Sequence, residues 1–253
     1  MKLSIIIPAY NEEKRISRTL DHYARYYGEL EQQHELTTEI VVVLNGCKDN
    51  TLGVVQAMQQ QHSMIRIIDL KQAGKGLAIT AGFKDVLTRS NDLIGFVDAD
   101  MATSPDQFAN LVDVLKKDST YDGVIASRYM PGAKISPQRP FIKRWGSKLV
   151  YENMIRVLFG MNYYDYQCGA KLFRRTVIQA IAPQLTVTQW AFDVELLYLC
   201  KRNNFKILEI PTIWYDQTDS KLKIMRSGLR MLSALVRMRI SHSRFGKMNQ
   251  RSV

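Results

Sequence analysis

Along the first half of the chain, short apolar runs alternate with longer stretches whose apolar residues recur every three or four positions. Leu3–Ile7, Glu39–Leu44, Met64–Asp69, Leu93–Asp98 and Gly123–Ala126 have strand length and are rich in β-branched residues. Between them, residues 12–33, 50–61, 75–88 and 105–117 carry helical periodicity. Continuous apolar runs, rather than alternating ones, belong to strands buried on both faces, so the pattern predicts βαβ units around a parallel sheet. One helix start is marked in full. Ser104, Pro105 and Gln107 supply an N-cap, a proline at the first helical position and a capping-box partner.

The second half is far more basic. Lys134 to Arg175 holds Lys134, Arg139, Lys143, Arg144, Lys148, Arg156, Lys171, Arg174 and Arg175 against Glu152 and Asp165. From Ser220 to Val253 there is no acid at all. With 35 Lys plus Arg against 24 Asp plus Glu, the net charge of +11 favours anionic partners. A hydrophobic share of 46% with 23% charged residues excludes a disordered or fibrous chain. Cys47, Cys168 and Cys200 have no paired spacing, which argues against a disulfide framework or a zinc ribbon. Cys168 and Cys200 are expected as small buried hydrophobes. Leu3–Ile7 is too short for a signal peptide and is broken by Pro8. No stretch approaches the ~18 apolar residues of a membrane span.

The candidate chemistry gathers where the apolar runs end. Asp98-Ala99-Asp100 follows the fourth run, and on an extended strand residues two apart share a face. At the carboxyl end of a parallel strand the pair would sit where open α/β sheets bind ligands. Hard carboxylate oxygens suit Mg²⁺ or Mn²⁺ holding a diphosphate. The first run ends in Pro8-Ala9-Tyr10-Asn11-Glu12-Glu13 and the second in Asn45-Gly46-Cys47-Lys48, a polar turn able to hold a base or ribose. Gly74-Lys75-Gly76 opens the third helix, placing a cation at a helix N-terminus. It is neither a Walker A loop nor a G-x-G-x-x-G fingerprint. His22, His34, His62 and His242 lie outside every motif and are read as non-catalytic.

The series from Ile7 to Glu13, Gly74 to Gly76, Asp98 to Asp100, Ser127-Arg128-Tyr129, Asp165 to Phe173 and Trp190 to Leu197 resembles the family 2 glycosyltransferases of GT-A fold. Within them it is similar to the polyprenyl-phosphate glycosyltransferases, and its segments around Asp98 and Lys171 look closer to the dolichyl-phosphate β-glucosyltransferases than to the dolichyl-phosphate mannose synthases. The likeness runs from Ser4 to about Lys221. One departure is Leu44-Asn45, where the family usually has Asp-Asp and reads the base with the second.

The resemblance implies an α/β nucleotide-diphospho-sugar transferase fold: a mostly parallel central sheet flanked by helices, with C-terminal amphipathic helices. Residues 1–220 would be the catalytic domain and 221–253 a basic extension. It also implies metal-dependent inverting transfer of a hexose, glucose from UDP-glucose, to a dolichyl or undecaprenyl phosphate. Pro8, Ala9, Tyr10, Asn11, Glu12, Asn45, Lys75, Asp98, Ala99 and Asp100 would surround the nucleotide sugar, with Asp98 and Asp100 on Mg²⁺ or Mn²⁺. Arg128, Arg139, Arg144 and Ser147 would receive the acceptor phosphate. Asp165 and Asp193 compete for a base role and are assigned to sugar hydroxyls or to orienting the acceptor. A phosphate monoester, with a second pKa of about 6, needs little help from a base at neutral pH.

In the basic tail, Leu222, Met225, Leu229, Leu232 and Val236 recur at helical steps, flanked by Ile224, Met231 and Leu235, while Lys223, Arg226, Arg230 and Arg237 take the other side. Such a helix lies on an anionic membrane surface, which places the protein as a peripheral enzyme on the cytoplasmic face of a membrane. Phe141–Phe159 is a second candidate of this type. The rival readings are mannosyl transfer from GDP-mannose, a non-lipid acceptor, a non-catalytic peripheral protein that kept the fold, and a nucleic-acid binder. No nucleic-acid module is present.

Overall fold

In the computed structural model, residues 1–137, 151–189, 191–215 and 235–242 are described. The first five strands are β1 (Lys2–Ala9), β2 (Thr37–Asn45), β3 (Ile65–Leu70), β4 (Leu93–Phe96) and β5 (Gly123–Ser127). They alternate with α1 (Ile16–Gln32), α2 (Thr51–Gln61), α3 (Lys75–Val86) and α4 (Pro105–Lys117). The expected βαβ pattern is therefore present element by element. Then come β6 (Lys134–Ser136), the helical residues 151–159 as α5, β7 (Lys171–Arg174), α6 (Arg175–Ile181), α7 (Phe192–Arg202), β8 (Ile207–Pro211), β9 (Ile213–Tyr215) and the helical residues 235–241 as α8.

Seven strands form one sheet in the order β3-β2-β1-β4-β7-β5-β8. All neighbours are parallel except β7, which runs against both β4 and β5. The sheet separates two apolar layers. Tyr23, Tyr27 and Phe108 fill the side covered by α1, α2 and α4, and Phe83, Phe96 and Phe192 fill the side covered by α3, α6 and α7. β6 pairs with β9 in a separate two-stranded sheet.

The reversed strand is what positions the site. Lys171, the first residue of β7, pairs with Phe96, the last of β4. The loop entering β7 therefore arrives at the same sheet edge where β1, β2, β4 and β5 release their carboxyl ends. Asp165 to Ala170 and the D-x-D segment meet there because one strand is inverted.

Two local expectations need correction. β4 ends at Phe96, so Asp98 and Asp100 lie in a turn and do not alternate along a strand. The turn is fastened from both sides: Thr19 Oγ1 donates to Ala99 O at 2.7 Å, and Tyr215 N donates to Ala102 O at 2.9 Å. Ser104 and Pro105 do open α4, but Ser104 makes no side-chain cap. The Gln107 amide is used elsewhere, accepting Ile213 N at 2.9 Å and tying α4 to β9.

Candidate active site

Asp98 stands against the loop that enters β7 so tightly that Gly169 has no room for a Cβ beside its carboxylate. Its other flank meets Lys75 from the start of α3, with Nζ 2.7 Å from Asp98 Oδ1. Burial pushes the Asp98 carboxyl up, but Lys75, backed by Lys171 and Arg128, outweighs it and holds the group below its ordinary value. Burial likewise disfavours the Lys75 ammonium, and Asp98 with Asp193 reverses that, so Lys75 stays charged.

Asp100 is different. Among the described residues its carboxylate accepts one hydrogen bond, from Ala102 N at 3.1 Å. Burial first, and the Asp98 charge second, raise its pKa to about 6. The Ala102 N–H and Arg15 offset this only in part, so the carboxylate is left short of positive charge. The pair thus offers two hard oxygen donors, one already neutralised by Lys75 and one still needing positive charge. That donor chemistry suits a divalent ion that completes its shell with water and diphosphate oxygens.

Behind this pair lies a buried ionic chain. Lys171, whose side chain is wholly buried, places Nζ 2.6 Å from Asp193 Oδ1 and 2.6 Å from Cys168 O. Asp193 Oδ2 faces Lys75 Nζ at 3.8 Å. The order Lys171, Asp193, Lys75, Asp98 alternates in sign from the core outward to the D-x-D turn. Lys171 did not stand out among the bases of its stretch; its position at the start of an interior strand identifies it.

Arg128 follows β5 and forms a two-pronged pair with Asp165, Nε to Oδ2 at 2.6 Å and Nη2 to Oδ1 at 2.9 Å. Asp165 also accepts the Arg128 and Gln167 backbone N–H groups, and Glu209 on β8 accepts the Asp165 and Tyr164 N–H groups at 2.8 Å. Burial would raise the Asp165 carboxyl, but Arg128 holds it below the usual range. The guanidinium lies over Trp214 at 4.9 Å and Tyr129 at 5.3 Å. Asp165 is thereby an orienting group for Arg128, and Asp193 a partner of two lysines.

Around the first two strand ends, Pro8 and Ala9 are buried and Tyr10 is exposed. Asn11, at φ 54, accepts Lys48 N at 2.7 Å and joins the two turns. Glu12 accepts Arg15 Nε at 2.7 Å. Asn45 is buried, donating to Ala9 O at 3.0 Å and accepting Gly74 N at 3.2 Å, so its amide links β1, β2 and the Lys75 turn. Cys168 and Cys200 are buried as expected, and burial pushes the Cys168 thiol up to about 12. Phe192 packs with Phe83 and Phe96 in the core. Arg139, Arg144, Ser147 and Trp190 lie outside the described residues, as do 141–150 of the Phe141–Phe159 candidate and, with 216–234 and 243–253, most of the basic tail.

The model of glycosyl transferase family 2 matches residues 4–182. The chain belongs to glycosyl transferase family 2. It is a glycosyltransferase, and its α/β sheet is the GT-A fold expected from the motifs. A dolichyl-phosphate β-glucosyltransferase of Trichomonas vaginalis is 36% identical over 227 residues, 87% of this chain and 66% of that protein. One from Dictyostelium discoideum is 32% identical over 249 residues, 95% of this chain and 74% of its own. The chain thus spans about two thirds to three quarters of the length of these relatives. Among solved structures, glucosyl-3-phosphoglycerate synthase of Mycobacterium tuberculosis, crystallised with Mn²⁺, UDP and glucosyl-3-phosphoglycerate, superposes with a TM-score of 0.68 at 19% identity. The match covers 94% of this chain and 79% of that one.

Proposed function

We propose that this glycosyltransferase moves glucose from UDP-glucose, with inversion, onto the phosphate of a polyprenyl lipid at a membrane surface. The observation that carries the reading is the Asp98–Asp100 turn, where Lys75 satisfies one carboxylate and the other is left in need of a cation. The names of the relatives favour glucose and a dolichyl phosphate acceptor. Asp98 and Asp100 would hold Mg²⁺ or Mn²⁺, which when bound opposes the charge developing on a departing diphosphate. Lys75 adds positive charge from the protein side. Pro8 to Glu12, Asn45 and Ala99 would surround the nucleotide sugar.

The lipid phosphate oxygen forms its bond to the anomeric carbon as the bond to the diphosphate oxygen breaks. It arrives ionised, so no residue has to take its proton. That fits a site in which Asp165 and Asp193 are both already paired with cations. Arg128, held in plane by Asp165 and the two aromatic rings, presents the rest of its guanidinium to the acceptor, with Arg139, Arg144 and Ser147 as further contacts. Arginine grips phosphate through a planar fork that lysine lacks. In assays with polyprenyl phosphate, Arg128→Lys should lower kcat/KM for the lipid by roughly ten- to a hundredfold, the size of a lost charged hydrogen bond, with little change in UDP affinity. Equal losses for both substrates would place Arg128 at the donor instead.

The membrane assignment rests on the basic tail. Each base near an anionic leaflet contributes about 1 kcal/mol. Replacing Lys223, Arg226 and Arg230 by Gln should weaken sedimentation with anionic vesicles and slow turnover on lipid in those vesicles, while a short soluble prenyl phosphate is used as before. Vesicle binding equal to the unmodified protein would refute the tether. Among the described residues, no helix is long and apolar enough to cross a membrane.

A further inference from the structure

Residues 235–242 of the basic tail, which lie outside the motif series, dock on α7 and connect through it to the Lys75 turn. Leu235 and Met238 of α8 are buried against the layer that holds α7. Just beyond them, His242 Nε2 lies 2.8 Å from Glu195 Oε1. The His242 carbonyl accepts Arg202 Nη1 at 2.8 Å, and its ring packs edge-on against Tyr198. All three partners come from α7, so the histidine is held at its ring nitrogen, its ring edge and its carbonyl.

Glu195 is wholly buried, and its remaining capacity goes to one short segment. It accepts Val187 N at 2.8 Å, Thr186 N at 3.0 Å and Thr186 Oγ1 at 2.5 Å. Burial alone would raise this carboxyl; the His242, Thr186 and Val187 hydrogen bonds bring it below its ordinary value. An apolar residue could fill the same space, but only a carboxylate fixes the two backbone amides.

That segment in turn rests on the Lys75 turn. Leu77 N donates to Thr188 O at 3.2 Å, and Gln189 Nε2 donates to Ala73 O at 3.3 Å. Val187 O lies so close to Gly76 that a Cβ there would collide with it. A continuous set of contacts therefore runs from His242 through Glu195 and residues 186–189 to the turn that aims Lys75 at Asp98.

We infer that His242 and Glu195 are positioning residues for the donor diphosphate: docking of the C-terminal helix on α7 sets the Lys75 turn. The inference deepens the proposed function and rests on its reading of Lys75 and Asp98 as the diphosphate site. The tail then has two separable tasks, a membrane contact through its bases upstream and a hold on the donor site through His242.

The test uses the full chain with UDP and Mn²⁺, measuring UDP affinity by calorimetry, the melting temperature, and sedimentation with anionic vesicles. His242→Ala should weaken UDP binding by about tenfold, the scale of one charged hydrogen bond. Vesicle binding should not change, and His242→Gln, which keeps a donor in reach of Glu195, should recover most of the affinity. A His242→Ala protein that melts earlier yet binds UDP normally overturns the inference, because the contact is then only structural. Failure of His242→Gln to recover affinity, with folding intact, also counts against it. Lys75→Ala separates the two levels. If that variant binds UDP as the unmodified protein does, the diphosphate reading itself is wrong and the inference falls with it.

Discussion

Asp100→Asn is expected to abolish transfer and, in metal-free buffer near pH 8, to make the protein more stable. The two effects share one cause. Burial and Asp98 raise the Asp100 pKa to about 6 from its ordinary 3.8. A raised acid is better tolerated protonated, so the fold loses stability as pH climbs from about 4 to about 6, and above that the whole penalty is present. Two pKa units correspond to about 3 kcal/mol, most of which the neutral amide recovers while still accepting the Ala102 N–H. Below pH 4 the two proteins should melt alike. Added Mn²⁺ should raise the melting temperature of the unmodified protein near pH 8 and lose that effect as pH falls through 6; the variant should not respond. Chemical denaturation across this range, with and without chelator, checks all three statements. An active Asp100→Asn protein, or one destabilised near pH 8, would remove Asp100 from the proposed ion site.

Lys171→Met is expected to be the most damaging core change. The ammonium is fully buried between Asp193 and the Cys168 carbonyl. Removing one partner of a buried pair typically costs about 3–5 kcal/mol, because the other charge is left uncompensated. Melting should fall by roughly 10 °C for a chain of this size. Lys75 is then left to serve Asp193 as well as Asp98, so UDP affinity should drop too. Adding Asp193→Asn to the same protein removes the stranded charge, and the double variant should be more stable than Lys171→Met alone. If the second substitution instead adds its own full cost, the two residues do not form the unit described.

Much of the fold was legible because its first half repeats one pattern. Val41 to Leu44 and Ile5 to Ile7 have no polar face, which only a two-sided sheet accommodates, and the helices between them have one. β7 carries no such pattern. Four residues, Lys171–Arg174, are too few to show a period, and their direction depends on a long connection. Without that inversion, nothing in the sequence brings Gly169 against Asp98. Residue type and placement point to the D-x-D pair but not to its geometry, since the strand stops two residues short of Asp98 and the segment after it does the aiming. Lys171 was hidden for a different reason: a lysine in a basic stretch reads as solvated, and only the strand register puts it inside. The Arg128–Asp165 and His242–Glu195 pairs join residues 37 and 47 positions apart, and no local pattern encodes such a meeting.

The central claim is the reaction itself, and the product tests it most directly. The full chain would be incubated with Mn²⁺, polyprenyl phosphate in anionic vesicles, and in parallel UDP-glucose or GDP-mannose, with 3-phosphoglycerate as a soluble acceptor. The lipid fraction and the soluble fraction would then be analysed by mass spectrometry. The expected result is a lipid phosphate heavier by one hexose, formed from UDP-glucose and absent when a chelator is added. Hexose found only on the soluble acceptor, or a lipid product formed only from GDP-mannose, would contradict it.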